Sequence, residues 1–240
     1  MAEAPASLNK PDATKRSKGR DLAEIAIAYG LILLVIWSPR PEQRVLWWVA
    51  AGGVAAIIWI SFDSFAAMGL RRMNFRSSFW VVDAALAAAG VAIIAAARLH
   101  TLRLPGSVPA FAETYVAYAV WSGVQQFLLQ GFFLARLLRI APRGWQAALA
   151  ASVLFSAAHL PNPILTPITF LWGVTACLLF LHYRNLYPLA LAHAILGITI
   201  AITVPGPVDH NMRVGLGYLA YSHQRHGRHA YRLEQPAPRP

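Results

Sequence analysis

The stretch of residues 125–138 reads QQFLLQGFFLARLL and indicates the environment in which the chain folds. It is apolar enough to lie in lipid, yet it carries Gln125, Gln126 and Gln130 within about two helical turns. An amide in hydrocarbon loses its water partners and must find others inside the protein. Gln126 and Gln130 are spaced to share one helix face, whereas Gln125 points about 100° away from Gln126. We therefore predict a membrane helix whose glutamines face other polar groups.

The composition of the whole chain predicts the same environment. Of the 240 residues, 57% are hydrophobic and only 13% are charged, whereas soluble domains carry roughly 25% charged residues. Apolar runs close to the length of a membrane crossing recur along the chain. We predict an all-α, polytopic transmembrane helix bundle of about seven or eight spans. The runs cover residues 22–37, 45–62, 79–97, 115–140, 145–159, 164–182 and 186–204.

The polar ends of the chain set the predicted domain boundaries. Residues 1–20 are polar and rich in Lys and Arg, which predicts a disordered cytosolic tail. Residues 21–208 form the predicted bundle, and residues 209–240 form the predicted basic C-terminal tail. Within the bundle, residues 63–78 mix apolar side chains with arginines, which predicts an amphipathic segment on the membrane surface.

The formal net charge of +11 indicates a lipid bilayer as partner and no nucleic acid, because the basic residues lie mostly at the ends of apolar runs and in the tails. We predict an integral protein of the cell inner (plasma) membrane. The positive-inside rule predicts that its N-terminus is cytosolic and that Arg136, Arg139 and Arg143 lie at a cytosolic helix end. Seven spans would leave the basic tail outside, so either an eighth short segment exists or the tail departs from the rule. We interpret the tail histidines as lying against anionic head groups: His210, His223, His226 and His229.

Polar residues inside the predicted spans are the candidates for function, because ionisable and amide groups at membrane depth are rare. Besides the glutamines, they are FSAAH at residues 155–159, HAILG at residues 193–197, and Asp83. We predict that the helices carrying the glutamines, His159 and His193 converge on one buried polar site.

The motifs QQFLLQG, FSAAH and HAILG, in this order, resemble the CAAX-protease and bacteriocin-processing (CPBP) family of intramembrane metalloproteases, which is type II CAAX prenyl endopeptidase-like. The resemblance covers residues 115–204, the catalytic core of the family. The family pattern is two adjacent glutamates followed by Arg and Gly, then Phe with His four residues on, then His with Asn or Asp four residues on. Gly131, Phe155, His159 and His193 match it. The resemblance implies a membrane-embedded peptidase with hydrophobic or prenylated peptide substrates.

The remaining positions depart from the family pattern. The paired glutamates, the arginine and the final Asn or Asp are replaced by Gln125, Gln126, Gln130 and Gly197. In the family, the first glutamate is thought to activate a water molecule, and the histidines to bind a metal or hold the oxyanion. The resemblance therefore implies His159 and His193 as candidate ligands of a divalent metal such as zinc. An amide, however, neither accepts a proton from water nor balances a cation.

Three functions remain open. The first is an active peptidase in which the two histidines and another carboxylate, such as Asp83 or Glu113, act on water. The second is a non-proteolytic pseudoenzyme that binds a peptide or lipid in the same cavity. The third is an intramembrane enzyme that acts on an isoprenoid or similar lipid, with a histidine as acid or base. The candidate catalytic residues are Gln125, Gln126, Gln130, His159 and His193.

Overall fold

The computed structural model describes residues 17–70 and 74–221. Within these ranges the regular secondary structure is helical. The elements are α1 (Lys18–Ile36), α2 (Arg40–Ile60), α3 (Phe75–Ser78), α4 (Trp80–Arg98), α5 (Val108–Gln126), a π-helix (Phe127–Leu134), α6 (Ala135–Ile140), α7 (Gly144–Ala157), α8 (Leu165–Tyr183), α9 (Tyr187–Thr203) and α10 (Gly206–Asp209). Residues 215–221 are also helical.

Several of these helices suit a membrane. Arg40–Ile60, Phe75–Arg98 and Leu165–Tyr183 are long and apolar enough to cross one, and two shorter helices are also apolar. Large apolar side chains cover the outside of the bundle, such as Trp59, which is 85% exposed, because lipid rather than water is their solvent. Residues 17–70 and 74–221 are thus all-helical, and the protein is an integral membrane protein, which confirms the predicted class. The number of spans and the orientation remain predictions.

The bundle begins earlier than the predicted boundary at residue 21. The Ser17 hydroxyl accepts a hydrogen bond from the backbone N–H of Arg20 at 3.2 Å, so it caps the N-terminus of α1, and the helix starts at Lys18. The rest of the predicted N-terminal tail lies outside the described residues.

One continuous helical rod forms the centre of the bundle. It runs from α5 through the π-helix into α6, and the Ser107 hydroxyl caps its start by accepting from the N–H of Ala110 at 3.4 Å. The π-helix packs against α7 and α8, α5 packs against α9, and α6 packs against α1. The glutamines therefore lie where the rod is covered by other helices.

The predicted surface segment at residues 63–78 is partly a buried loop. Residues 65–69 form turns, Met68 is only 2% exposed, and the carbonyl of Gly69 accepts a hydrogen bond from the N–H of Leu186 at 3.0 Å. The amphipathic pattern did not indicate this burial, because it depends on the close approach of the loop backbone to α8 and α9.

Gly69→Ala is expected to destabilise the protein by about 1–3 kcal/mol. Gly69 has a φ of +74°, and a Cβ there would lie 2.3 Å from the Phe180 ring. The control is Gly90→Ala in α4, where a Cβ meets nothing within 4 Å and stability should be unchanged or slightly raised. Melting temperatures in detergent would compare the two variants, and equal temperatures would contradict this packing.

The C-terminal segment lies against the bundle over residues 209–215. The Asn162 side-chain amide donates to the carbonyls of Asp209 at 2.7 Å and Arg213 at 3.0 Å, and the N–H of Gly215 donates to the Leu160 carbonyl at 2.7 Å. This part of the predicted tail is therefore packed on protein. Outside the described residues lie His223, His226 and His229.

A buried ion-pair cluster joins α6 to α1. Arg136 is fully buried, and its guanidinium donates to the Glu24 carboxylate at 2.8 Å, to the Ser61 hydroxyl and to the Phe132 carbonyl at 3.1 Å. One turn later, Arg139 pairs with Asp21 at 2.6 Å and with Asp63 at 3.1 Å. Arg136 was predicted at a cytosolic helix end, but it serves as an internal partner for acidic side chains of α1.

Candidate functional site

Two glutamines and one histidine form a hydrogen-bonded chain, here called the amide–imidazole network (Gln130, Gln126 and His193). The Gln130 side-chain amide donates to the Gln126 carbonyl oxygen at 2.8 Å, and the Gln126 amide nitrogen lies 2.9 Å from Nδ1 of His193. Both glutamines are fully buried, and His193 is 7% exposed. The sequence predicted polar partners for these amides. In the structure, the partners of Gln126 are Gln130 and His193 of α9.

The placement of Gln126 and Gln130 follows from the rod. Gln126 is the last residue of α5, and Gln130 lies inside the π-helix. Four-residue spacing keeps the two side chains on one face, as predicted. At the other end of the network, the buried Oε1 atom of Gln130 has no hydrogen-bond partner among the described residues.

His159 lies beside the network without joining it. Its Nδ1 is 2.7 Å from the Phe155 carbonyl and donates to it, which leaves Nε2 outside this hydrogen bond. The Phe155 ring lies between the two histidines, with its centroid 5.0 Å from that of His159 and 5.8 Å from that of His193. Trp172 of α8 packs on His193 at 6.1 Å. The structure therefore brings the two histidines to one aromatic site.

An apolar cavity of about 280 Å³ adjoins these side chains. Both histidines and Gln125 line it, whereas Gln126 and Gln130 lie behind its wall. The neighbouring side chains of Gln125 and Gln126 thus lie in different surroundings, the first at the cavity and the second in the network, as their 100° separation on a helix predicts. None of the described residues that line the cavity is Asp, Glu, Lys or Arg.

Segments outside the glutamine and histidine motifs complete the wall. Tyr29 of α1 lines the cavity, and its hydroxyl donates to the Leu154 carbonyl of α7 at 3.0 Å, which closes that side. Met212 and Val214 of the C-terminal segment line another side. Sequence reasoning missed these contributions, because an apolar residue facing a cavity has the same pattern as one facing lipid.

Tyr118 is the polar residue that sequence reasoning missed. It lines the cavity, and a Cβ built on Gly197 would lie 1.9 Å from its hydroxyl oxygen. The absence of a side chain at Gly197 therefore provides the space that the phenol occupies. A signal was present, because Tyr118 lies seven residues before Gln125 and so shares its helix face.

The two carboxylates considered as substitutes lie elsewhere. Asp83 in the first turn of α4 and Glu113 in α5 are both exposed, and neither lines the cavity. No group of three or more His, Cys, Asp or Glu side chains suited to a metal occurs within residues 17–70 and 74–221. A catalytic zinc usually takes three protein ligands, so the two histidines do not fit such an ion, and Gln126 already engages Nδ1 of His193.

Fold and site together define the class: a helical membrane protein with a neutral, buried polar site beside an apolar cavity. A comparison with protein-family models matches residues 108–199 to the family described as type II CAAX prenyl endopeptidase Rce1-like. The resemblance inferred from the three motifs is thereby confirmed for this segment, which holds both histidines and all three glutamines. No curated protein and no solved structure matched the chain.

Gln126→Met is expected to cost about 2–3 kcal/mol of stability, because it leaves the buried Nδ1 of His193 and the amide of Gln130 without partners. Gln125→Met is the matched control at the adjacent position, and its effect should stay within about 0.5 kcal/mol. Thermal unfolding of both variants in the same detergent is the measurement. A smaller loss for Gln126→Met than for Gln125→Met would contradict the network.

Proposed function

We propose that this protein is a non-proteolytic relative of the CAAX prenyl endopeptidases that binds a hydrophobic chain inside the membrane. The observation that carries the proposal is the amide–imidazole network beside a cavity whose described lining lacks a carboxylate. Residues 108–199, which match the family model, keep two histidines, and the glutamines beside them bond to one another and to His193.

The chemistry of peptide hydrolysis supports this proposal. Attack on an amide carbonyl requires a base to activate water, and a neutral glutamine does not accept that proton. Gln126 instead uses its amide N–H to bind His193. Gln130 stands where the family has an arginine, and a neutral side chain suits a buried site without acidic partners.

The dimensions of the cavity favour a slender ligand. Small-molecule sites commonly have volumes of roughly 300–1,000 Å³, and this cavity, at about 280 Å³, lies near the lower limit. Its lining is mainly aliphatic and aromatic, with residues such as Ile32, Leu128 and Ile168. One alkyl or isoprenoid chain, free or attached to a peptide, suits this space better than a folded peptide does.

Two assays on the purified protein in nanodiscs test the proposal. The first measures cleavage of a prenylated peptide and of a panel of hydrophobic peptides, and we expect none. The second measures photo-crosslinking of a diazirine-bearing alkyl chain, which unlabelled chain should compete away. Cleavage by the wild type that His193→Ala abolishes would overturn the proposal, as would the absence of competable labelling.

A restored variant provides the positive control for cleavage. Gln125→Glu, Gln126→Glu and Gln130→Arg together return the charged groups of the family pattern. Peptidase activity or metal binding in this variant, and not in the wild type, would show that the assay detects hydrolysis and that the native amides prevent it. Failure of the variant to fold is detected by its melting temperature and by loss of chain labelling.

A further inference from the structure

The cavity lacks formal charges along its described lining. Apart from the two histidines, its polar side chains are neutral ones: Tyr29, Tyr118, Trp121, Gln125, Thr169 and Trp172. Arg213 lies between two lining residues, but its guanidinium is over the Tyr221 ring, 4.8 Å from the centroid. A charged group that entered the cavity would therefore meet no described partner of opposite charge.

The absence of a counter-charge discriminates between ligands. Moving an ion from water into a low-dielectric interior without a partner costs several kcal/mol, whereas a hydroxyl or carbonyl group needs only a hydrogen bond. The cavity walls are apolar, so a carboxylate, a phosphate or an ammonium group is disfavoured there. A neutral head group is not.

Tyr118 offers a hydroxyl for the hydrogen bond that such a head group needs, and this hydroxyl also has the Ser122 side chain as a hydrogen-bond partner. Its hydroxyl lies against the backbone of α9 at Gly197, in the space that any side chain there would fill. His193 is one turn earlier on the same face of α9, and both residues line the cavity. A phenol both donates and accepts a hydrogen bond, so it can bind an alcohol or a carbonyl.

We infer that the cavity selects a neutral amphiphile, a single apolar chain that ends in a hydroxyl or carbonyl group, and that Tyr118 is the residue that recognises this end. The inference rests on the proposed function, because it names the class of ligand for the same cavity. Gly197 takes part by leaving space for the phenol, since a Cβ there would lie 1.9 Å from the hydroxyl oxygen.

The test compares diazirine-bearing probes of one chain length in phosphatidylcholine nanodiscs. The probes are hexadecanol, its methyl-ester counterpart, hexadecane, hexadecyl sulfonate and hexadecyl trimethylammonium. We expect the alcohol and the ester to label the wild-type protein at least tenfold more than either charged probe. Equal or stronger labelling by a charged probe would overturn the inference while leaving the proposed binding function intact. Absence of competable labelling by every probe would overturn both.

Variants of Tyr118 separate recognition from packing. Tyr118→Phe should lower the affinity for the alcohol and the ester about fivefold, the effect of one hydrogen bond, and leave hexadecane labelling unchanged. The control is Tyr115→Phe, also in α5, whose ring packs on Phe111 and does not line the cavity. Unchanged affinity for the alcohol in Tyr118→Phe would overturn the role of the phenol.

A substitution at Gly197 also displaces the Tyr118 hydroxyl, this time by a change in α9. Gly197→Ala forces the Tyr118 hydroxyl out of its place and should also lower labelling by the alcohol relative to hexadecane. An equal loss for both probes in Gly197→Ala would indicate a general disturbance of the cavity and would contradict recognition through the phenol.

Discussion

Arg136→Met is expected to lower the free energy of unfolding by about 3–5 kcal/mol, because it removes the buried cation that pairs with Glu24 at 2.8 Å and leaves that carboxylate its pair with the more exposed Arg20 at 2.9 Å. Arg136 has no exposed surface, and its guanidinium also lies 3.6 Å from the centroid of the Phe132 ring. The loss should therefore include packing as well as charge. Equilibrium unfolding in mixed micelles is the measurement.

Two further variants test this explanation. Arg143→Met removes a charge from an exposed position in the same region and should change stability by less than about 0.5 kcal/mol. Adding Glu24→Gln to Arg136→Met should recover part of the loss, because the carboxylate that lost its pairing with Arg136 is then neutral. Equal effects of Arg136→Met and Arg143→Met would refute the buried ion-pair cluster.

Gly197→Asn, which restores a family residue, is expected to destabilise the protein by about 2–3 kcal/mol. The new side chain collides with the Tyr118 ring, whose hydroxyl oxygen and Cζ would lie 1.9 Å and 2.7 Å from its Cβ. In a Tyr118→Ala background the space is open, so the same substitution should cost less than about 0.5 kcal/mol. A double-mutant cycle on melting temperatures measures this coupling.

The matched control for this cycle is Gly123→Asn in α5, where a Cβ would meet nothing within 4 Å. Its effect should be small and independent of Tyr118. If Gly197→Asn costs the same with and without Tyr118→Ala, the two positions do not compete for space, and the phenol is not held where the inference requires.

The helices were largely predictable because membrane spans have a strong local signal. Apolar length and helix-ending prolines placed the predicted runs at residues 145–159 and 164–182 close to α7 and α8. The spacing of Gln126 and Gln130 predicted a shared face, and the motif order predicted which helices carry the polar residues. Such features depend on neighbours in sequence.

What sequence reasoning missed depends on contacts between distant segments. The pairing of Arg136 with Glu24 joins residues 112 positions apart, and basic residues near helix ends usually face water, so its burial had no local signal. The docking of the C-terminal segment rests on Asn162, whose amide contacts carbonyls 47 and 51 positions away. Charge and hydropathy patterns do not encode such pairings.

The π-helix at Phe127–Leu134 sets the rotational phase of the central rod. Its i→i+5 hydrogen bonds accommodate extra residues in a turn, so the residues after it are rotated relative to a uniform α-helix. Gln126, just before this segment, bonds to His193 of α9, and Arg136, just after it, bonds to Glu24 of α1. One helix can thus present amides to α9 and arginines to α1. A helical wheel drawn straight through it assigns α6 to the wrong face.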